Sequence, residues 1–136
     1  MKFLSEGIFR PDVLAEIDGE TRLVGSRCSA CGDVRFPTAP ACPKCHAPAE
    51  DLVPAVLSRT GEVTAASRVE RAIPPFKAPY YLAYVQLPEG PRIFCQLVTQ
   101  ARAASELIGR PCELVVEPVY EKEGKSVSSY KFKVAA

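Results

Sequence analysis

Four of the six cysteines in this 136-residue chain form two closely spaced pairs. The pairs are Cys28-Ser29-Ala30-Cys31 and Cys42-Pro43-Lys44-Cys45, and ten residues separate them. A two-residue gap lets both sulfurs of a pair turn toward one ion, and two pairs supply four soft ligands near tetrahedral geometry. The spacing therefore predicts a small ribbon of two knuckles that binds structural zinc through Cys28, Cys31, Cys42 and Cys45.

Each pair is followed by a residue that bears on the turn. Gly32 follows the first pair, where a positive φ is often needed, and His46 stands at the matching place after the second. Histidine is moderately enriched at positive φ, so the second turn remains possible. Because four thiolates already fill the shell, we expect His46 to be an exposed turn residue and not a ligand.

Three other cysteine chemistries compete with zinc. Iron in a rubredoxin-like site uses the same four thiolates, and spacing does not separate the two metals. Two disulfides would need an oxidising compartment, yet the start of the chain lacks the apolar run and cleavage site of a secretory signal. A redox Cys-x-x-Cys motif usually occurs once, at a strand-to-helix turn, whereas this chain has two such motifs ten residues apart. We therefore predict structural zinc in a cytoplasmic protein.

Composition argues against two classes of function. The formal net charge is +1, and no basic run provides an electrostatic footprint for a phosphate backbone. No apolar stretch approaches the roughly twenty residues that span a bilayer. We therefore expect no membrane partner and do not favour nucleic acid. A ribbon of about thirty residues is also too small to bury a core without its metal.

The two remaining cysteines, Cys95 and Cys112, lie in apolar, strand-like contexts. Free cysteine is commonly a small buried hydrophobe, which is what we expect for both. The alternative is a nucleophile, but the single histidine of the chain is His46, so a cysteine–histidine pair would have to reach into the ribbon. We therefore predict no catalytic residue.

The elements around the cysteines divide the chain into three parts. Residues 1–20 are predicted to be an N-terminal helical segment that begins near Pro11 and stops at Gly19, with Val13, Leu14 and Ile17 on one face. Its acidic bias suits either a solvated face or a docking face for a partner. Residues 21–51 form the predicted ribbon, and residues 52–136 form a domain of another kind.

Strand-like runs recur from Leu52 onward and are separated by turn residues. A short helix is predicted from Gln100 to Leu107. Five or six short strands with one helical insertion indicate a Greek-key barrel of the OB type, so the fold class is mainly β. Either Tyr81, Ala83, Val85 and Leu87 or the opposite set faces the interior. The predicted strands are Leu52–Ser58, Gly61–Val69, Tyr80–Leu87, Arg92–Thr99, Cys112–Tyr120 and Ser126–Val134.

The loop from Arg71 to Tyr80 contains three prolines, two cations and aromatic side chains. It is either a rigid connection or a surface suited to a ligand that bears phosphates and an acyl chain. On that basis Arg71, Phe76 and Lys77 are candidate ligand-binding residues.

Six motifs follow one another along the chain: Leu23–Gly32, Arg35–Pro37, Cys42–Cys45, Thr60–Val63, Tyr84–Arg92 and Leu107–Cys112. Taken in this order, they resemble a bacterial and archaeal family of acyl-CoA-associated OB-fold proteins with an N-terminal rubredoxin-like zinc ribbon. The resemblance covers nearly the whole chain. The chain departs from the common pattern of the family at His46, where glycine is frequent.

The resemblance implies an accessory subunit of a thiolase-like enzyme that acts on acyl-CoA thioesters, with zinc for structure and CoA thioester as ligand. It also implies that ribbon and OB-fold dock a thiolase-fold catalytic subunit in a hetero-oligomer. Some relatives instead partner hydratases or aldolases. Two further alternatives are a module that binds single-stranded nucleic acid, with Tyr80, Tyr81, Tyr84 and Phe94 as stacking residues, and a free-standing enzyme that uses Cys95 or Cys112.

Overall fold

The computed structural model describes residues 2–4, 7 and 11–134. This part of the chain is mainly β and contains no α-helix, and therefore no helix that could cross a membrane. Short 3₁₀ turns occur at Pro11–Val13, Ala49–Asp51 and Ala104–Glu106. The strands are β1 (Lys2–Phe3), β2 (Leu14–Ile17), β3 (Glu20–Cys28), β4 (Val34–Arg35), β5 (Leu52–Val56), β6 (Thr60–Val69), β7 (Tyr80–Gln86), β8 (Arg92–Val98), β9 (Pro111–Lys122) and β10 (Lys125–Val134).

The predicted N-terminal helix is wrong where it can be judged; residues 1, 5, 6 and 8–10 of that segment lie outside the described residues. After the 3₁₀ turn the chain forms β2, which pairs antiparallel with β3. Asp18 and Gly19 connect them with φ values of 52° and 82°. A two-residue Asp-Gly loop with both φ positive suits the right-handed twist of a hairpin. Gly19 thus closes a hairpin instead of ending a helix.

The N-terminal sheet is organised around β3. Its first half pairs with β2, which also pairs with β1, and its second half pairs with both β4 and β5. The strand predicted from Leu52 is therefore present as β5, but it pairs with β3 and not with the strands that follow. The division of the chain at residues 20 and 51 stays a prediction.

Strands β6 to β10 close a barrel in the order β10-β8-β7-β6-β9, with β9 paired to β10. The pairing of β8 with β10 is parallel and the other pairings are antiparallel. This five-stranded barrel confirms the predicted OB-fold. Each barrel strand therefore has a neighbouring strand on both sides, which limits the exposed edges that could template aggregation.

Tertiary packing decides which face of β7 points inward. Tyr81, Ala83 and Val85 are at most 7% exposed and belong to the barrel core. The same core cluster continues through Leu57 to Leu14 of the N-terminal sheet. One contiguous apolar core therefore joins the sheet to the barrel.

The predicted helix at Gln100–Leu107 is also wrong, since only Ala104–Glu106 forms a 3₁₀ turn. The carboxylate of Glu106 accepts hydrogen bonds from the backbone N–H groups of Arg102 and Ala103, at 2.8 and 3.0 Å. These bonds satisfy donors at the start of the turn and stop it from extending backward. We call residues 99–110 the 99–110 loop.

Candidate metal centre and the barrel surface

The side chains of the two cysteine pairs meet in one cluster. The Sγ atoms of Cys28, Cys31, Cys42 and Cys45 all lie within 4.8 Å of one another. Cys28 Sγ is 3.6 Å from Cys45 Sγ, and Cys31 Sγ is 3.7 Å from Cys42 Sγ. A tetrahedral zinc ion with Zn–S bonds of about 2.3 Å places its sulfurs about 3.8 Å apart. The donor set therefore fits a tetrathiolate zinc ion in both chemistry and size.

The two knuckles are built by equivalent turns. The N–H of Gly32 donates to the carbonyl of Cys28, and the N–H of His46 donates to the carbonyl of Cys42, each at 2.8 Å. Gly32 has φ 82° and His46 has φ 65°. His46 therefore takes the left-handed conformation that glycine takes in the first knuckle. Its side chain is exposed, and His46 is not one of the four clustered ligands.

The thiol groups of the cluster differ in acidity. Hydrogen bonding to the backbone of Cys45 lowers the pKa of Cys42 to about 7. A backbone hydrogen bond with Ala47 acts the same way on Cys45, but burial and the neighbouring thiol groups outweigh it and raise that pKa to about 12. Four thiolates in this space repel one another unless a cation offsets their charge. A zinc ion held by Cys28, Cys31, Cys42 and Cys45 would supply that charge and would keep each thiol deprotonated.

The cluster also replaces a hydrophobic core in this part of the chain. Its buried residues are Cys28, Cys42 and Ala47, with Leu52 packed against them. So small an apolar cluster cannot offset the loss of chain entropy on ordering. Four thiolates around one zinc ion would leave no open coordination position. This is the arrangement of structural zinc sites and not of catalytic ones.

The other two cysteines lie inside the barrel. Cys95 and Cys112 are each 5% exposed. Burial raises the pKa of Cys95 to about 12, with a further contribution from Cys112, and burial raises that of Cys112 to about 11. Thiols with these pKa values are protonated at neutral pH and are poor nucleophiles. Both residues pack as small apolar side chains.

The loop between β6 and β7 holds the residues that the sequence suggested for ligand binding. Arg71 and Lys77 are exposed. Phe76 is half-buried, with its ring centroid 5.4 Å from that of Tyr120 and 6.4 Å from that of Tyr80. The ring of Phe76 therefore anchors the loop to the barrel, while the two cations remain accessible.

Two of the four aromatic residues suggested for stacking are accessible. Tyr84 on β7 and Phe94 on β8 are 45% and 53% exposed, and their ring centroids are 5.2 Å apart. Tyr81 is buried in the core, and Tyr80 is half-buried beside Phe76. Tyr84 and Phe94 thus form an exposed aromatic pair across two adjacent strands of the barrel.

The sequence did not reveal a cavity of about 850 Å³ at one end of the barrel. The start of β6, the end of β8, the 99–110 loop, the start of β9 and the end of β10 line it, and we call it the barrel-end pocket. These segments are distant in sequence, and although the motifs Thr60–Val63 and Leu107–Cys112 contribute residues to the lining, neither indicated a cavity. The only local signal was the breaker-rich stretch that ends in Gly109-Arg110-Pro111.

Two family models match successive parts of the chain. Residues 16–51 match the family described as "ChsH2, rubredoxin-like zinc ribbon domain", and residues 55–117 match "ChsH2, C-terminal OB-fold domain". The first match contains the four clustered cysteines. The second contains β6, β7 and β8 and part of β9.

Several relatives match over most of their length. The benzoylsuccinyl-CoA thiolase subunit BbsA of Thauera aromatica is 37% identical over 128 residues, which are 92% of this chain and 86% of that protein. A DUF35 domain-containing scaffold protein of Methanothermobacter thermautotrophicus is 36% identical over 113 residues, 82% of this chain and 84% of that protein.

A solved structure described as "Ltp2-ChsH2(DUF35) aldolase" superposes with a TM-score of 0.62 at 30% identity, covering 81% of this chain and 84% of that one. The fold, the cysteine cluster and the relatives confirm the resemblance inferred from the motifs. The chain belongs to the ChsH2 family, in which a rubredoxin-like zinc ribbon precedes a C-terminal OB-fold domain.

Proposed function

We propose that this protein is a non-catalytic, zinc-containing accessory subunit of a thiolase-like enzyme that acts on acyl-CoA thioesters. In this role it docks to the thiolase-fold catalytic subunit and shapes or shuttles the acyl-CoA. The observation that carries the proposal is similarity, over 92% of this chain and 86% of the relative, to a protein named as a thiolase subunit.

The chemistry of the described residues supports a role without catalysis. The four thiolates of the cluster fill a tetrahedral shell, so the metal would have no position for substrate. Cys95 and Cys112 are buried and protonated at neutral pH. A tetrathiolate cluster also needs thiols that stay reduced, which supports the cytoplasm as the location.

Two other enzyme classes are alternatives for the catalytic partner. An aldolase is the main alternative, because a structural neighbour is described as an aldolase. An acyl-CoA hydratase is the other. Arg71, Phe76 and Lys77 stay a prediction for contact with the CoA thioester, supported by the exposure of the two cations.

Affinity purification of the tagged chain from its native cells, followed by mass spectrometry, tests the proposal. We expect a thiolase-fold protein to co-purify in a fixed ratio, and its acyl-CoA turnover to fall when this chain is removed. Recovery of an aldolase or a hydratase instead would replace the thiolase partner with that class. A catalytic subunit that is fully active without this chain would refute the accessory role.

Binding of single-stranded nucleic acid is a second candidate, favoured by the exposed pair of Tyr84 and Phe94. OB-folds bind oligonucleotides on this pair of strands, where aromatic rings stack on bases. A labelled oligonucleotide should then bind with strong salt dependence, and Phe94→Ala should weaken it. No change in fluorescence anisotropy at low salt would exclude this candidate.

A further inference from the structure

The barrel-end pocket has an apolar wall and a cationic rim. Its volume of about 850 Å³ lies within the range of roughly 300–1,000 Å³ that is typical of small-molecule sites. Val98, Val115 and Val134 supply apolar surface from three different strands. Arg102 and Lys133 line the same cavity and are exposed, so water and ligands reach them. This combination suits an elongated ligand that is apolar along its length and carries anionic groups.

Hydrogen bonds hold the 99–110 loop in place beside the pocket. The N–H of Gly109 donates to the carbonyl of Val63 at 2.8 Å, and the N–H of Val63 donates to the carbonyl of Arg110 at 3.0 Å. The hydroxyl of Tyr81, inside the barrel, donates to the carbonyl of Ala101 at 3.2 Å. The loop is thus tied to the barrel at both ends, and the pocket exists before any ligand arrives. A preformed site loses little entropy on binding.

The charges at the pocket favour an anion. Arg102, Arg110 and Lys133 line it, against the carboxylates of Glu106 and Glu113. Glu106 interacts electrostatically with Arg110, and Glu113 lies opposite Lys133 in the pairing of β9 with β10, so the excess of positive charge is one unit. Both carboxylates have other partners. Glu106 accepts two backbone hydrogen bonds within the loop, and Glu113 forms an ion pair with Arg59 at 3.5 Å. The guanidinium groups of arginine match the geometry of phosphate oxygens, and lysine adds a point charge.

We propose that the barrel-end pocket binds the acyl-CoA thioester, with phosphate groups at Arg102 and Lys133 and the pantetheine arm along the valine wall. This inference rests on the proposed function for its ligand class, because a CoA thioester joins phosphates to a long, largely apolar arm. It assigns the ligand to a site other than the loop of Arg71 and Lys77, where the Phe76 ring packs against Tyr120 and not into a cavity.

Titration calorimetry of the full, zinc-loaded chain with CoA tests this site. The double variant Arg102→Gln/Lys133→Gln should weaken CoA binding about tenfold or more, since hydrogen bonds to charged groups are lost. The matched control Arg92→Gln/Lys125→Gln removes the same charge from the barrel outside the pocket and should leave the affinity unchanged. Adenosine 3′,5′-bisphosphate should compete with CoA, and added salt should weaken both.

Equal affinity of the double variant and the control, or no CoA binding by the wild-type chain, would overturn the inference. So would a loss confined to Arg71→Gln/Lys77→Gln. Thermal melting keeps a folding defect apart from a binding defect, because Arg102 and Lys133 are exposed and their variants should melt like the wild type.

Co-purification of the same variants separates this inference from the proposed function. If the double variant still binds its catalytic subunit but has wild-type affinity for CoA, the pocket assignment fails and the accessory role stands. If the wild-type chain binds CoA through Arg102 and Lys133 but no acyl-CoA enzyme co-purifies, the accessory role fails and the pocket assignment stands.

Discussion

Removal of one cysteine ligand should unfold the zinc ribbon while the barrel stays folded. The test substitution is Cys31→Ser, because Cys31 is exposed and its side chain contributes little packing. Serine keeps the size of the side chain but offers no thiolate. The sulfur of Cys31 lies 3.7 Å from that of Cys42, so its loss opens one vertex of the tetrahedron.

We expect a large loss of stability in the ribbon, because few other buried contacts hold the two knuckles together. Its buried apolar cluster consists of Cys28, Cys42 and Ala47, with Leu52 at the edge. Burial of so few small side chains contributes about 4 kcal/mol at most. Structural zinc contributes roughly 10–16 kcal/mol in small zinc domains at neutral pH. Ordering each residue costs about 1–2 kcal/mol in backbone entropy, so the apolar cluster alone cannot keep the two knuckles ordered. Val34 and Phe36, which lie between the knuckles, pack against the main core instead.

Metal analysis and hydrogen exchange followed by mass spectrometry check this expectation. The wild type should hold one zinc per chain and protect the amides of Gly32 and His46, which close the two knuckles. Cys31→Ser should lose the metal and this protection, whereas peptides from β7 and β8 should stay protected. The matched control is Cys112→Ser, which removes a thiol outside the cluster and should keep the zinc. A Cys31→Ser protein that retains both metal and ribbon protection would refute the reasoning, and iron in the wild type would refute zinc.

The barrel phenylalanines form a matched pair, since Phe132 is fully buried and Phe94 is 53% exposed. In urea denaturation Phe132→Ala should lower the free energy of unfolding by about 3–5 kcal/mol, and Phe94→Ala should lower it by less than about 1 kcal/mol. Equal losses of unfolding free energy in the two variants would show that the core is wrongly placed. Two backbone hydrogen bonds lower the pKa of Glu106 from its ordinary value of 4.5. The stabilisation of the fold by ionised Glu106 is therefore complete above the ordinary pKa of 4.5, and it is lost as the pH falls through the lower pKa of Glu106 in the folded state. In a plot of melting temperature against pH, Glu106→Gln should show a smaller fall on the acid side than the wild type. Curves of the two proteins that superimpose would contradict this. Cys95 and Cys112 should not react with a thiol reagent until denaturant is added, and rapid reaction in the native protein would revive the free-standing enzyme.

The fold class was predictable because its main signals are local. Short strand-like runs separated by turn residues led to the strands of the barrel, and the observed bounds of β6 to β10 differ from the predicted ones by only a few residues. The prediction of an N-terminal helix was wrong, even though the sequence contains a local signal for a hairpin there, the Asp18-Gly19 pair. Val13, Leu14 and Ile17 fit a helical spacing, and pairing of β2 with β3 overrode that preference.

The clustering of the four cysteines was predictable for a similar reason. The ligands of each knuckle are three residues apart, so a single turn of the backbone brings both sulfurs together whatever the rest of the chain does. The positive φ of Gly32 and His46 belongs to the same local geometry. What the sequence could not supply was the distance between the two knuckles in space, which depends on the pairing of β3 with β4 and β5.

Sequence by itself thus determined which four cysteines cluster, the strand-rich barrel and the family, because residue spacing and ordered motifs carry them. Tertiary structure decided which face of β7 is buried and where the chain forms a pocket. The barrel-end pocket combines Thr60, Arg102 and Lys133, which meet only because β6 pairs with β9 and β8 pairs in parallel with β10. Such long-range registers depend on closure of the whole barrel, and no short stretch of sequence specifies them.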